Sequence, residues 1–455
     1  MNRSLTRRCF LSRSAGGLGG LALANLEAAP HFPAKAKSVI FLFMEGAPSQ
    51  LDLFDPKPAM AKYDGQPLPE SMTKDLRFAF IKPTAKIWAS TRPFRAYGQS
   101  GIEFSDLLPH LAARADDLCV IRSLHTDQFN HHPAQLMMVC GSQLVGRPSM
   151  GSWILYGLGS ESHNLPGFVV LGSGRGATAG AQLFASGFLP PVYQGTAFRS
   201  TGDAVLHLKN PAGMTPERQR ARLDAIRDLN QRHYDELADP EIAARIESYE
   251  LAFRMQAAAP ELLDLSKESD ATKTAYGLDN DDTRAFGSNC LLARRMVERG
   301  VRFIQLTHGS WDDHNFLNRN LAKNCRMTDQ PAAALLADLK QRGLLDSTLV
   351  VWAGEFGRTP FVEDNRPGDD SRGRDHHPSA FTIWMAGGGV KPGQTIGKTD
   401  DLCLAPVEDK VHIHDLHATI LHLLGLDHKK LTYRYQGRDF RLTDVAGNVV
   451  RKALT

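Results

Sequence analysis

Val301–Asn315 reads VRFIQLTHGSWDDHN, an apolar run set directly ahead of two adjacent carboxylates and a histidine. The run is short and continuous rather than alternating, as in a strand buried on both faces of a sheet. The same arrangement recurs along the chain. SVIFLFM (38–44) runs into EGAPSQLD, LCVIRSL (118–124) into HTDQFNHH, GFVVLG (167–172) into SGRGATAG, and TLVVWAG (348–354) into EFGRTP. FTIWMA (381–386) runs into GGGVKPG and has GRDHHP just ahead of it.

Between these runs the pattern turns helical. CLLARRMVER (290–299) stops at Gly300, just before VRFIQLT. Thr328–Arg342 places Ala332, Leu335, Leu336 and Leu339 on one helical face, with Gly343 as a stop signal. The succession predicts an α/β chain: a three-layer α/β/α fold with a largely parallel central sheet. In such sheets functional groups gather in the loops beyond the carboxyl ends of the strands. Residues 215–263 differ, being rich in Arg, Glu, Ala and Leu, opened by Thr215-Pro216 and broken at Asp239-Pro240. They read as a helical insertion of two or three helices that covers or flanks the body.

If the chain stays extended behind 301–307, Asp312 and His314 point to one side and Asp313 to the other. An Asp-x-His pair with mixed oxygen and nitrogen donors suits zinc, manganese or iron. Taken alone, it is more simply a polar surface turn. Other loops at the same predicted edge add to it. They bring Glu45, Ser49, Asp52 and Asp55; Asp127, Asn130, His131 and His132; Glu355 and Arg358; and Arg374, Asp375, His376 and His377. His376 and His377 are adjacent and cannot both face one way from an extended chain. Carboxylates and histidines from five separate loops predict a divalent metal site with three or more protein ligands.

Bulk properties narrow the functional classes. The chain has 455 residues, 42% hydrophobic and 23% charged, which is a soluble globular composition. MNRSLTRRCFLSRSAGGLGGLALANLEAAP (1–30) has a basic start, a Gly/Ala/Leu run and small residues at its end. That is the layout of an export signal, and Arg7-Arg8 resembles the twin-arginine type, implying the twin-arginine export machinery and a periplasmic destination. The whole chain carries a net charge of +3 and so do residues 1–30, so the remainder is formally neutral and nucleic acid is not expected as a partner. The apolar run of the signal is too short and glycine-broken for a stable membrane span. Cys9 leaves with the signal, and the remaining five (Cys119, Cys140, Cys290, Cys325 and Cys403) are odd in number, so at least one is an unpaired thiol. No GxGxxG, P-loop, GxSxG or HExxH pattern occurs.

Long blocks, in order, resemble the bacterial family called domain of unknown function 1501, which is described as sulfatase-like within the alkaline phosphatase superfamily. They are FMEGAPSQLDLFDPKP, RSLHTDQFNHHPAQLMMVCG, RPSMGSWILYGLG, LLARRMVERGVRFIQL, SWDDH, LVVWAGEFGRTP, GRDHHP and WMAGGGVKPG. The resemblance spans about 38–445 as one domain, with 446–455 as a C-terminal tail. It implies an alkaline-phosphatase-like core with Glu45, Asp52, Asp312, His314, Glu355 and His376 (or His377) at the metal positions. The nucleophile position falls at Asn130–His131. Two departures stand out: no serine, threonine or CxPSR cysteine occupies that position, and Phe356 stands where the superfamily has a histidine ligand.

The reading that follows is an exported metal-dependent hydrolase of sulfate or phosphate esters, on a small-molecule or polysaccharide substrate. Zinc is the favoured ion, with calcium or manganese as alternatives. Either a histidine such as His131 attacks, or metal-activated water does. Arg358, Arg374 or Arg122 would hold the anionic group, since a guanidinium matches a tetrahedral oxyanion. Asp375 would orient His376, with His377, Arg374 and Asp127 as further supporting or substrate-binding groups. The alternative is a protein that keeps the fold without catalysis and acts in binding or assembly at the cell envelope.

Overall fold

Apolar β-branched and aromatic runs pair edge to edge because only there are their backbone groups satisfied away from water. In the computed structural model, which describes residues 29–74, 79–82, 84–199, 205, 210–237, 239–363 and 371–455, nine strands form one central sheet. They are β1 (Ser38–Met44), β2 (Cys119–His125), β3 (Phe168–Ser173), β4 (Thr196–Phe198), β5 (Phe303–His308), β6 (Thr348–Ala353), β7 (Phe381–Ala386), β8 (Gln394–Ile396) and β9 (Val411–His412). The order across the sheet is β8-β2-β7-β6-β1-β5-β3-β4, with β9 also pairing β2. All pairings are parallel except those of β7, which runs antiparallel to both β2 and β6. The expected export segment, apart from its last two residues, lies outside the described residues.

Helices cover both faces. Strand residues alternate in direction, so Ile40, Leu42, Ile304, Leu306, Val350 and Trp352 pack toward one side. Val39, Phe41, Phe43, Phe303, Leu349 and Val351 pack toward the other. The second side is covered by α1 (His131–Cys140) and α2 (Met150–Leu158). Outside the sheet stand α3 (Pro216–Leu237) and α4 (Pro240–Leu263), tied by an Arg220–Glu250 ion pair of 2.7 Å. Asp239 accepts from the Glu241 N–H and so caps α4, which is why the chain breaks at Asp239-Pro240. The first face is covered by α5 (Asp281–Glu298) and α6 (Leu317–Gln341), and α7 (Ile413–Leu423) completes the other.

Residues 446–455, expected as a tail, are seated on the body. Lys391 N–H donates to Ala453 and Thr455 N–H to Gly389, and Ala453 is buried. Among the described residues, Cys119, Cys140, Cys290, Cys325 and Cys403 are all buried and unpaired. None of the described helices is long and apolar enough to cross a membrane.

Candidate metal centre

The carboxyl ends of β1, β5 and β6 open on one edge of the sheet. β5 leaves it through Gly309-Ser310, where Trp311 N–H donates to the Glu45 carbonyl and Asn324 holds the Ser310 carbonyl at 2.7 Å. The turn is tight because Gly46 (φ +106°) lies against it: a Cβ there would meet the Asp312 nitrogen at 2.5 Å. Gly46→Ala should therefore cost about 1–3 kcal/mol, as overpacking does, measured by denaturant unfolding. β6 leaves through Glu355-Phe356 into Gly357–Arg358, which pairs antiparallel with His376–His377. Because β7 runs backwards, its amino end reaches this same edge, and GRDHHP arrives from ahead of the strand. His131, the first residue of α1, completes the approach.

His131, Asp312, His314 and His376 each offer one ligand atom, all within 4.8 Å of one another. Asp312 Oδ1 lies 3.1 Å from His131 Nε2, 3.0 Å from His314 Nε2 and 3.5 Å from His376 Nε2. The Nε2 atoms of His314 and His376 are 2.9 Å apart. Two donors tetrahedrally bound to one zinc ion are about 3.3 Å apart, given bonds of about 2.0–2.1 Å. Four of the six separations bracket that value, and the other two, from His131 to His314 and to His376, lie within 4.8 Å, so the group could hold one ion.

The atoms behind the rings sharpen this. His131 Nδ1 faces Glu355 Oε1 at 2.7 Å, His314 Nδ1 faces Glu363 Oε2 at 2.5 Å, and His376 Nδ1 faces the Phe129 carbonyl at 2.7 Å. A carbonyl or carboxylate oxygen only accepts, so each Nδ1 carries the hydrogen and each neutral ring turns a lone pair inward. Buried His131 Nε2 has no hydrogen-bond partner, its 3.1 Å approach to Asp312 being off the direction a hydrogen bond needs. Lone pairs so placed repel unless a proton or a cation sits among them.

Without metal, protons take that place. Burial opposes charge on His131, but Asp312 and Glu355 outweigh it and lift its pKa to about 9. Against the same opposition, Asp312 and Glu363 lift His314 to about 8. Burial pushes His376 down to about 4. Burial would raise Asp312 too, yet the three imidazoles and Arg358 hold it far below the carboxylate range. At pH 7 both raised histidines are protonated, so loading a divalent cation here should release about two protons per site. Affinity should climb as pH rises through 8 and 9. Titration calorimetry in buffers of different ionisation heat checks this, and binding without proton release would contradict it.

The remaining candidates are placed as follows. Arg358 is fully buried and donates to Ala47, Gly46, Trp311 and Arg374 carbonyls and, at 2.7 Å, to Asp312. Glu355 stands behind His131, held by the Gly46 N–H at 3.1 Å and Gln135 at 3.3 Å. Glu45 shares that Gln135 amide at 2.8 Å, and burial with the nearby Glu355 charge raises its pKa to about 7. Asp313 is turned away and buried, which lifts its pKa to about 7. Asp52 is not brought to the cluster: it pairs with Arg374 at 2.9 Å. Asp127 lies out at His412, 3.2 Å away, and His377 faces the Cys403 carbonyl at 2.8 Å. Asn130 is the N-cap of α1 and makes no capping bond with its side chain. Arg122 approaches Asp55 and Glu103 at 4.0 and 3.7 Å. Asp375 binds backbone N–H groups rather than the His376 ring.

Sequence reasoning did not single out Gln135, Glu363 or the Phe129 carbonyl. Gln135 sits one helical turn beyond His131, which places it on the same side of α1. Glu363 carries no local signal. It is positioned by a two-way backbone pairing with Gly373, at 2.8 and 3.0 Å.

Comparison with curated proteins returned no match. Among solved structures, one similarity is to the lipoteichoic acid synthase LtaP from Listeria monocytogenes (TM-score 0.41, 9% identity, 95% of this chain and 82% of that one). Another is to a protein in the alkaline phosphatase superfamily from Vibrio parahaemolyticus (TM-score 0.38, 10% identity, 88% and 69%). A third is to the PsFucS1 sulfatase from Pseudoalteromonas sp. (TM-score 0.39, 13% identity, 94% and 72%). A family model described as "Protein of unknown function (DUF1501)" matches residues 36–454. The chain therefore belongs to the DUF1501 family.

Proposed function

We propose that the protein is an exported, metal-dependent hydrolase of sulfate or phosphate esters. The observation that carries the metal is the set of three inward lone pairs and one carboxylate oxygen, each ring held from behind by an acceptor. The ester class rests on the resemblance of the sequence blocks, and export on the pattern of residues 1–30.

A bound divalent cation would polarise the ester and lower the pKa of a water molecule. His131, Asp312, His314 and His376 would hold it. His131 Nδ1 is held at Glu355 and its Nε2 would bind the cation, so water rather than His131 is the nucleophile in this reading. The amino end of the ten-residue α1 carries His131 and favours negative charge there. Asn130, exposed at the N-cap of α1 and making no capping bond with its side chain, would donate to an ester oxygen in this reading. Asp312 is 44% exposed in its side chain, which gives solvent and substrate an approach.

The non-catalytic reading has one observation in its favour. Phe356 packs on His131 and His376, at ring distances of 4.9 and 4.6 Å, and fills space that a second ligand would need. Bound metal and turnover of aryl sulfate and aryl phosphate, measured on the purified mature protein, decide between them. Metal with turnover supports the hydrolase; metal with neither turnover supports binding or assembly; a folded protein that takes up no metal overturns both forms of the site.

A further inference from the structure

One side chain beside the four donors is at once aromatic, exposed and fastened. Phe80 is 63% exposed, yet its ring meets His314 and His376 edge-on, each at 5.3 Å with interplanar angles of 81° and 78°. Its backbone is tied down. Asp375 Oδ2 accepts the N–H groups of Ala79, Phe80 and Ile81 at 3.0, 2.9 and 3.2 Å, while Oδ1 accepts the His376 N–H at 2.8 Å. The carboxylate next to a candidate ligand thus clamps the segment that carries Phe80. Ile81 packs against the apolar cluster of Leu51, Met60 and Phe361, so the core takes Ile81 and leaves Phe80 outside. Apart from these two ring edges, most of the phenyl surface stays in water, so the contacts among the described residues return little burial for a ring held at this rim.

We infer that Phe80 is a binding platform for a ring on the substrate, the ester group lying at Asp312 and the ring that bears it lying on the phenyl face. This rests on the ester-hydrolase reading and deepens it by naming the substrate class as esters of cyclic groups. A flat aryl face, or the C–H face of a pyranose, covers the phenyl surface, whereas a short acyclic alkyl group covers little of it. A residue that merely shielded the metal from water would affect all ligands alike.

The test uses the metal-loaded mature protein and three non-hydrolysable probes: phenylphosphonate, a pyranosyl methylphosphonate and methylphosphonate. Phe80→Ala should weaken one or both ring-bearing probes about five- to tenfold, the size of one aromatic contact, and leave methylphosphonate within about twofold. Phe80→Trp should restore the lost binding. Loss confined to phenylphosphonate identifies an aryl substrate, and loss that includes the pyranosyl probe identifies a sugar. An equal change for all three probes, or none, overturns the platform. If the parent protein binds methylphosphonate without preferring a ring, only the platform falls. If it binds no probe and hydrolyses no ester, the hydrolase reading falls with it.

Discussion

His314→Ala should strip the protein of its metal and of any ester hydrolysis while the sheet stays folded. The residue lies beyond β5, is 21% exposed in its side chain and contributes to none of the apolar clusters. Its removal deletes one of four converging donors. The supporting carboxylates give the scale against which that loss is read. Glu355→Gln and Glu363→Gln keep the shape of each side chain but weaken the acceptor that fixes a ring tautomer. Such outer partners cost about 10–100-fold in metal affinity or activity. Loss of a donor itself should exceed that range. The ranking of the three variants is the measurement: metal content by elemental analysis, affinity by competition with a chelator, and circular dichroism for the fold. If Glu355→Gln loses as much metal as His314→Ala, Glu355 is itself a ligand in the loaded protein. If His314→Ala keeps full metal, the proposed centre is elsewhere.

The strands and the convergence of Asp312 with His314, away from Asp313, were legible for related reasons. Continuous apolar runs mark strands covered on both faces, and the two-residue period of an extended chain separates 312 and 314 from 313. The direction of β7 was not read, although a sign of it was present. GRDHHP precedes its strand whereas the other polar loops follow theirs, so a shared site requires that strand to be reversed. The helices α5 and α6 begin well before the stretches 290–299 and 328–342 read from the sequence. The first turn of α5 is polar, opened by Asn280 capping the Asp282 N–H, and an apolar pattern does not mark it; in α6, Leu317, Leu321 and Cys325 recur at helical spacing and are buried, a sign that was present but not read. What sequence cannot carry is the identity of partners far apart in the chain. Glu363 behind His314 and Arg374 beside Asp52 are such cases, because an acid in a loop looks the same whether it meets a metal, a histidine or a guanidinium.

Asp52 turns that ambiguity into the second large effect, one of stability. Its carboxylate is 2% exposed and the Arg374 guanidinium 0%, with Nε to Oδ2 at 2.9 Å. Ser49 donates to the same carboxylate at 2.5 Å. Arg374 also donates to the Trp88 carbonyl at 2.9 Å and lies over the Trp88 ring at 4.6 Å. Asp52→Ala would leave this guanidinium buried without its counter-charge, and breaking one side of such a pair costs about 3–5 kcal/mol. The pH dependence has a definite sign. Burial alone would raise the Asp52 pKa, but Arg374 and the serine hydroxyls hold it below the ordinary aspartate value. The pair therefore stabilises the fold above the unfolded-state pKa of about 4, and that contribution is lost as pH falls through the lower folded value. Urea unfolding of the parent and Asp52→Ala proteins should differ most near neutrality and converge in acid. Metal affinity of the folded variant should stay within about tenfold of the parent, the lower end of what an outer partner costs. A variant as stable as the parent but unable to hold metal would move Asp52 from the ion pair to the metal centre. Because Arg374 and His376 lie on the two sides of Asp375, the pair anchors the segment that delivers His376, and Asp52→Ala should lose metal binding at lower urea concentration than the parent, in step with its unfolding.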